Sequence, residues 1–264
     1  MRSSLVLSAL LLAGCATVPA PQQSAALAPA PSGLYTETFG PASGTAVQTL
    51  IVVLHADSQP SHYAFAAAAA RAVPQSAAVA VLRPGYADQT GHSSPGDRGN
   101  GTGDNYTADR ITAVGDAIAT LRGRYPNART ILVGDAGGAA IAANLAGTRP
   151  ALLDGMVLVS CPCTLPEWRA RMQKRDPVWG AAVTSLDPLK TSGGVLPTIR
   201  AAVLVGADDA VTPIPFSRAY AEALTLRGIA TDYRIVPGKG HELLDDPEVL
   251  AATARLAAAL AKKG

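Results

Sequence analysis

The sequence predicts an α/β fold, a mostly parallel central sheet with helices on both faces and a small lid inserted after the fourth strand. Three observations predict it. Short β-branched runs alternate with longer alanine-rich or amphipathic stretches through almost the whole chain. Within the first runs every residue is apolar, as in strands covered on both faces, instead of every second one. The 264 residues, 48% hydrophobic and 16% charged, are enough for one such domain with a full core.

The elements follow in order. Leu50 to Leu54 is the first buried strand, Ser61 to Val73 an alanine-rich helix, and Ala77 to Leu82 a second strand stopped by Arg83-Pro84-Gly85. A long loop rich in Gly, Ser and Asp runs to about Asn105. Thr107 to Arg124 carries Ile111, Val114, Ile118 and Leu121 at helical spacing. Thr130 to Val133 is a third strand, and Gly137 to Gly147 a helix of mostly small side chains. Strands at Met156 to Val159, Ala202 to Val205 and Asp232 to Val236 follow, with helices at about Phe216 to Arg227 and Pro247 to Lys262. The stretch from Cys163 to Leu196 breaks the rhythm, holds both tryptophans, Trp168 and Trp179, and is expected to be the lid.

The N-terminus predicts export. Arg2, the apolar run Leu5 to Ala13 and the small residues after it form a secretory signal over residues 1–14, the run being about half of the ~20 residues a membrane span needs. Leu12-Ala13-Gly14-Cys15 resembles the bacterial lipobox, which implies cleavage before Cys15 and lipid on its thiol. Ala16, a non-acidic residue after that cysteine, implies the outer membrane, with the protein facing the periplasm. Residues 15–32, rich in Pro, Ala, Gln and Ser, then form a tether, and the folded domain spans 33–264. The net charge of +2 with mixed signs gives no argument for nucleic acid. Cys161 and Cys163 are one residue apart, a spacing expected to leave two free or labile thiols, and no further ligands beside them suggest a metal.

In open α/β sheets, ligands sit beyond the carboxyl ends of the strands, so the residues there carry the chemistry. After the third strand comes Gly134-Asp135-Ala136-Gly137-Gly138. A strand turning sharply into a helix needs small residues two before and two after the turn, as in a G-x-S-x-G elbow. Here those are Gly134 and Gly138, so the nucleophile position holds Ala136, whose methyl group cannot attack anything. Nothing in the glycine pattern makes a phosphate loop, since the Lys and the Gly-x-Gly-x-x-Gly spacing are both missing. After the fifth strand comes Gly206-Ala207-Asp208-Asp209, where an Asp can orient and charge-stabilise a histidine. After the sixth comes Gly240-His241-Glu242. Chain order for such a site is nucleophile, acid, base; of His55, His62, His92 and His241, only His241 follows both the elbow and the acid.

These motifs, in this order, resemble the α/β-hydrolase superfamily, its esterase- and peptidase-like serine hydrolases in particular, over nearly all of the chain after residue 33. The resemblance implies an acid three residues after Gly206, hence Asp209 in preference to Asp208, and an oxyanion hole from backbone N–H groups of Gly137 and of Ala56 or Asp57. It implies an ester or amide as the small-molecule ligand and no cofactor or metal. The departure is Ala136 in place of Ser, which makes the site inactive or greatly weakened.

Two alternatives stand beside this reading. One is a non-catalytic lipoprotein that binds a ligand or partner. The other shifts the elbow by one residue and makes Asp135 an ester-forming nucleophile, as in dehalogenases and epoxide hydrolases, although the shift puts Val133 where a small residue is preferred. Ser160 and Cys161 end a strand at the same sheet edge but sit on no elbow, and His55 is expected to support the loop after the first strand.

Overall fold

The computed structural model describes residues 33–58 and 60–262. The signal sequence, Cys15 and the tether lie outside the described residues. Seven strands form one sheet in the order β1-β3-β2-β4-β5-β6-β7. Six of them run parallel: β2 (Thr49–Leu54), β3 (Ser76–Val81), β4 (Arg129–Asp135), β5 (Gly155–Val159), β6 (Arg200–Gly206) and β7 (Ala230–Val236). The short β1 (Thr36–Phe39) pairs antiparallel with β3 at the sheet edge. It was not expected from the sequence, because four residues with alternating burial leave no continuous apolar run.

The central strands are buried along their whole length, as their unbroken apolar runs require. Their side chains alternate between two cores. Leu50, Val52 and Leu54 pack toward α2 (Ala108–Arg124), α3 (Gly137–Thr148) and α6 (Ile214–Leu226). Ile51 and Val53 pack toward α1 (Tyr63–Ala72) and α7 (Pro247–Ala261). Helix α3 is buried on all sides from Gly137 to Ala146, which explains its small side chains: a bulkier helix would not fit between the sheet and its neighbours. Helix α7 starts where Pro247 follows the cap Asp246, whose carboxylate accepts from Glu248 N at 2.9 Å.

Between β5 and β6 the chain forms α4 (Leu165–Gln173), the short α5 (Pro188–Thr191) and 3-10 turns. Trp168 and Trp179 meet edge to face there, with ring centroids 4.9 Å apart. The indole of Trp168 donates to Val211 O at 2.9 Å, tying this connection to the loop after β6.

The two cysteines correct the sequence expectation. Cys161 and Cys163 form a disulfide, and both are fully buried. A bridge across a single residue reads from the sequence as strained, but the Cα atoms lie 5.1 Å apart, within the ordinary disulfide range.

Candidate active site

The carboxyl ends of β2, β4, β5, β6 and β7 converge on one cleft of about 840 Å³. Asp57, Asp135, Ala136, Gly137, His241 and Trp168 are among the residues lining it.

Strand β4 turns into α3 at Ala136, which adopts φ 45° and ψ −108°. This is a conformation that side-chain-bearing residues rarely adopt and that costs of order 1–3 kcal/mol. The flanking glycines make the turn possible. A Cβ on Gly134 would lie 2.4 Å from Gly138 O, and one on Gly138 would lie 2.5 Å from Leu54 O. The strained residue is therefore Ala136, with its small partners two before and two after it, while Asp135 is the last residue of β4, paired with Val159. Gly134→Ala and Gly138→Ala are each expected to lower stability by about 1–3 kcal/mol, read as a lower melting temperature. Gly123→Ala, whose Cβ would meet nothing within 4 Å on the surface of α2, serves as the control and should leave the melt unchanged or slightly raised.

The loop after β6 presents Asp209, buried, and leaves Asp208 exposed. Asp209 Oδ1 accepts from the backbone N–H of Val211 at 2.9 Å and of Thr212 at 2.8 Å. His241 Nδ1 lies 3.0 Å from Asp209 Oδ2. A carboxylate can only accept, so Nδ1 carries the proton and Nε2 is left with no partner among the described residues. Burial works to raise the Asp209 carboxyl, but the hydrogen bonds from His241 and Thr212 outweigh it and hold the group at about 2. Burial works to lower the His241 imidazole, but the Asp209 hydrogen bond and the charges of Asp209, Asp135 and Asp57 raise it above its ordinary value.

Thr212 and Ser160 were not given this role by the sequence. Thr212 Oγ1 sits 2.8 Å from Asp209 Oδ2, 3.0 Å from His241 Nδ1 and 2.9 Å from the carbonyl of Ser160. Ser160 Oγ donates to His241 O at 2.9 Å, so it holds the histidine loop. The Asp-x-x-Thr-Pro string ahead of α6 is the only sequence signal for Thr212, since an Asp commonly accepts from the N–H groups two and three residues on.

Ala56, Asp57 and Gly137 meet on the other side of the cleft. The Asp57 carboxylate lies directly against Gly137: a Cβ there would be 2.2 Å from Oδ1 and 2.3 Å from Oδ2. Its oxygens are held by Arg83 Nη2 at 2.9 Å, Asn105 Nδ2 at 3.0 Å and the Tyr106 hydroxyl at 2.5 Å. A carboxylate beside the first turn of α3 also faces that helix's positive end. His55 lies behind this group. Its Nε2 accepts from Arg83 N at 3.0 Å and its Nδ1 donates to Ala56 O at 2.6 Å. Burial, then the Arg83 charge, push it well below the ordinary histidine value, so His55 is a neutral brace between β2 and β3.

Asp135 projects into the cleft and has no hydrogen-bond partner among the described residues. Burial raises its carboxyl to about 7; His241 opposes the shift, and Asp245, Asp57 and Glu242 add to it. No group of three or more His, Cys, Asp or Glu side chains is placed to hold a metal ion among the described residues.

No protein-family model matches the chain, and no curated protein sequence matches it. Many solved structures share its fold. A monoacylglycerol lipase of Paleococcus ferrophilus is 18% identical with a TM-score of 0.58, over 88% of this chain and 99% of that one. A putative non-heme bromoperoxidase of Mycobacterium tuberculosis is 17% identical with a TM-score of 0.57, over 86% of this chain and 96% of that one. Est1E of Butyrivibrio proteoclasticus, solved with ferulic acid bound, is 12% identical with a TM-score of 0.61, over 87% and 96%. At such identities the likeness shows the α/β-hydrolase fold, and the site must be argued from its own residues.

Proposed function

We propose that this chain is a serine-hydrolase scaffold, built for a carboxylic ester or amide, that captures its ligand in the cleft and turns it over weakly or not at all because Ala136 stands at the nucleophile position. The observation that carries this reading is the backbone strain at Ala136, which lines the same cleft as His241 of the His241–Asp209 pair. Strain of this kind persists where a surrounding structure over-determines it, and an alanine gains nothing from it. In the full scaffold, His241 would be general base and then acid, Asp209 would fix its tautomer, and the backbone of Gly137 with that of Ala56 or Asp57 would face the developing oxyanion. The connection between β5 and β6 would act as the lid. That several fold neighbours are esterases and lipases supports an ester as the ligand class.

Two observations weigh against Asp135 as nucleophile. The positive φ falls on Ala136, and a carboxyl held at about 7 is half protonated near neutrality, where an ester-forming carboxylate must be ionised. Capture without turnover has a direct test. Native mass spectrometry of the protein mixed with p-nitrophenyl butyrate is expected to show intact ester bound over minutes. Steady release of p-nitrophenol at enzymatic rates would sink the reading.

We also propose that Cys15 carries a lipid anchor in the cell envelope, on the strength of the lipobox-like Leu12-Ala13-Gly14-Cys15. Palmitate labelling in a bacterial host should mark the wild-type protein in the membrane fraction, and Cys15→Ser should abolish the label and move the protein to the soluble periplasmic fraction.

A further inference from the structure

The charge of the cleft singles out a class of ligand. Five carboxylates line it, against one lysine and one histidine, in a chain whose net charge is +2. Two of the five are already matched. Asp57 is paired with Arg83 at 2.9 Å and bonded by Asn105 and Tyr106. Asp246 is paired with Lys239 at 3.0 Å and caps α7. The remaining three, Asp135, Glu242 and Asp245, have no ion pair and no hydrogen bond from any described side chain. Glu242 and Asp245 are exposed at the rim, while Asp135 is largely buried where β4 ends on the cleft.

An unpaired carboxylate that is largely buried is expensive to keep ionised, and nothing in the fold requires it here. The end of β4 would close as well on an asparagine or a small residue. The same cleft is lined by the apolar and aromatic side chains of Trp168, Met172 and Trp179 from the β5–β6 connection. Aromatic side chains and unpaired carboxylates in one cleft suit a cation with an apolar body: the carboxylates neutralise the charge, and the aromatic and apolar side chains cover the hydrocarbon. The exposed pair at the rim would draw such a ligand in and repel anions, free carboxylic acids among them.

We propose that the cleft selects an organic ammonium ligand, with Asp135 as its counter-ion at the end of β4 and Glu242 and Asp245 as the steering pair at the rim. This rests on the reading of the cleft as a ligand site and is independent of whether that site once catalysed a reaction.

Calorimetric titration of the full chain at pH 8 with hexylammonium, hexanol and hexanoate, three ligands of one body and different charge, tests it. Hexylammonium is expected to bind about tenfold or more tighter than hexanoate, with hexanol between, and the gap should shrink as salt is raised. Asp135→Asn should cut the gap to about threefold or less, and the Glu242→Gln, Asp245→Asn double variant, changed only at exposed positions, should also narrow it. Hexanoate binding as well as hexylammonium, no measurable hexylammonium binding, or a gap unchanged in Asp135→Asn each overturns the proposal. The two readings fail separately. An Ala136→Ser variant that hydrolyses esters in a cleft without ammonium preference removes only this inference, and a clear preference in a protein that Ala136→Ser does not activate removes only the hydrolase scaffold.

Discussion

Ala136→Ser is expected to raise hydrolysis of short-chain p-nitrophenyl esters by about 10³-fold or more over the wild-type chain. Removing the nucleophile from an intact triad costs roughly 10⁶ in turnover, and the residual rate comes from the oxyanion hole and binding alone. Restoring the hydroxyl should recover a large part of that factor, provided the rest of the site is in place. The structure makes the substitution unusually clean. Ala136 already carries a Cβ at φ 45°, so serine adds one oxygen and no new backbone strain. The methyl group borders the cleft, which leaves that oxygen room. His241 Nδ1 is engaged by Asp209, which fixes the tautomer in which Nε2 is free to accept a proton. Combining Ala136→Ser with His241→Ala should return the rate to the wild-type level, and an equal gain without the histidine would place the activity elsewhere.

Asp135→Asn should stabilise the fold at alkaline pH and hardly change it at acid pH. Burial, opposed by His241 and reinforced by Asp245, Asp57 and Glu242, raises this carboxyl from 3.8 to about 7. A group whose folded value lies above its unfolded value is easiest to keep in the native state while protonated. Its contribution is fully present below about pH 4, is lost as pH rises toward 7, and stays lost above that. Asparagine mimics the protonated form at every pH. Its advantage should therefore be absent near pH 4 and reach about 2–4 kcal/mol by pH 8.5, or roughly 5–15 °C in melting temperature. Melting curves of both proteins from pH 4 to 9 check this, and parallel curves would contradict it. The same substitution should weaken ammonium binding, so one residue would carry a stability penalty in return for ligand charge, the usual compromise at a binding site.

How much of this was legible in the sequence depends on how local each signal is. Strands β2 and β3 were readable because a strand covered on both faces is apolar without interruption. The four residues of β1 alternate at a sheet edge and give no such run. The elbow was readable because its steric demand falls on Gly134 and Gly138, two residues either side of Ala136. His241 follows from chain order among the four histidines, whereas Asp209 in preference to Asp208 was implied only by the resemblance. The Asp57 group was not readable: Arg83, Asn105 and Tyr106 lie 26, 48 and 49 residues from Asp57 and meet only where the segments after β2 and β3 and before α2 come together. The disulfide was misjudged because a bridge across one residue reads as strained, whereas the Cα atoms lie 5.1 Å apart, within the ordinary disulfide range.

On the proposed reading, an intact His241–Asp209 pair shares one cleft with an Ala136 that lacks the nucleophile. Covalent labelling with an alkyl fluorophosphonate, followed by peptide mass mapping, tests it most directly. The wild-type chain is expected to take no adduct, and Ala136→Ser to take one, at position 136, at a rate that Asp209→Ala or His241→Ala sharply reduces. Labelling of the wild-type chain at another residue, or an Ala136→Ser protein that stays folded and unlabelled, would contradict it.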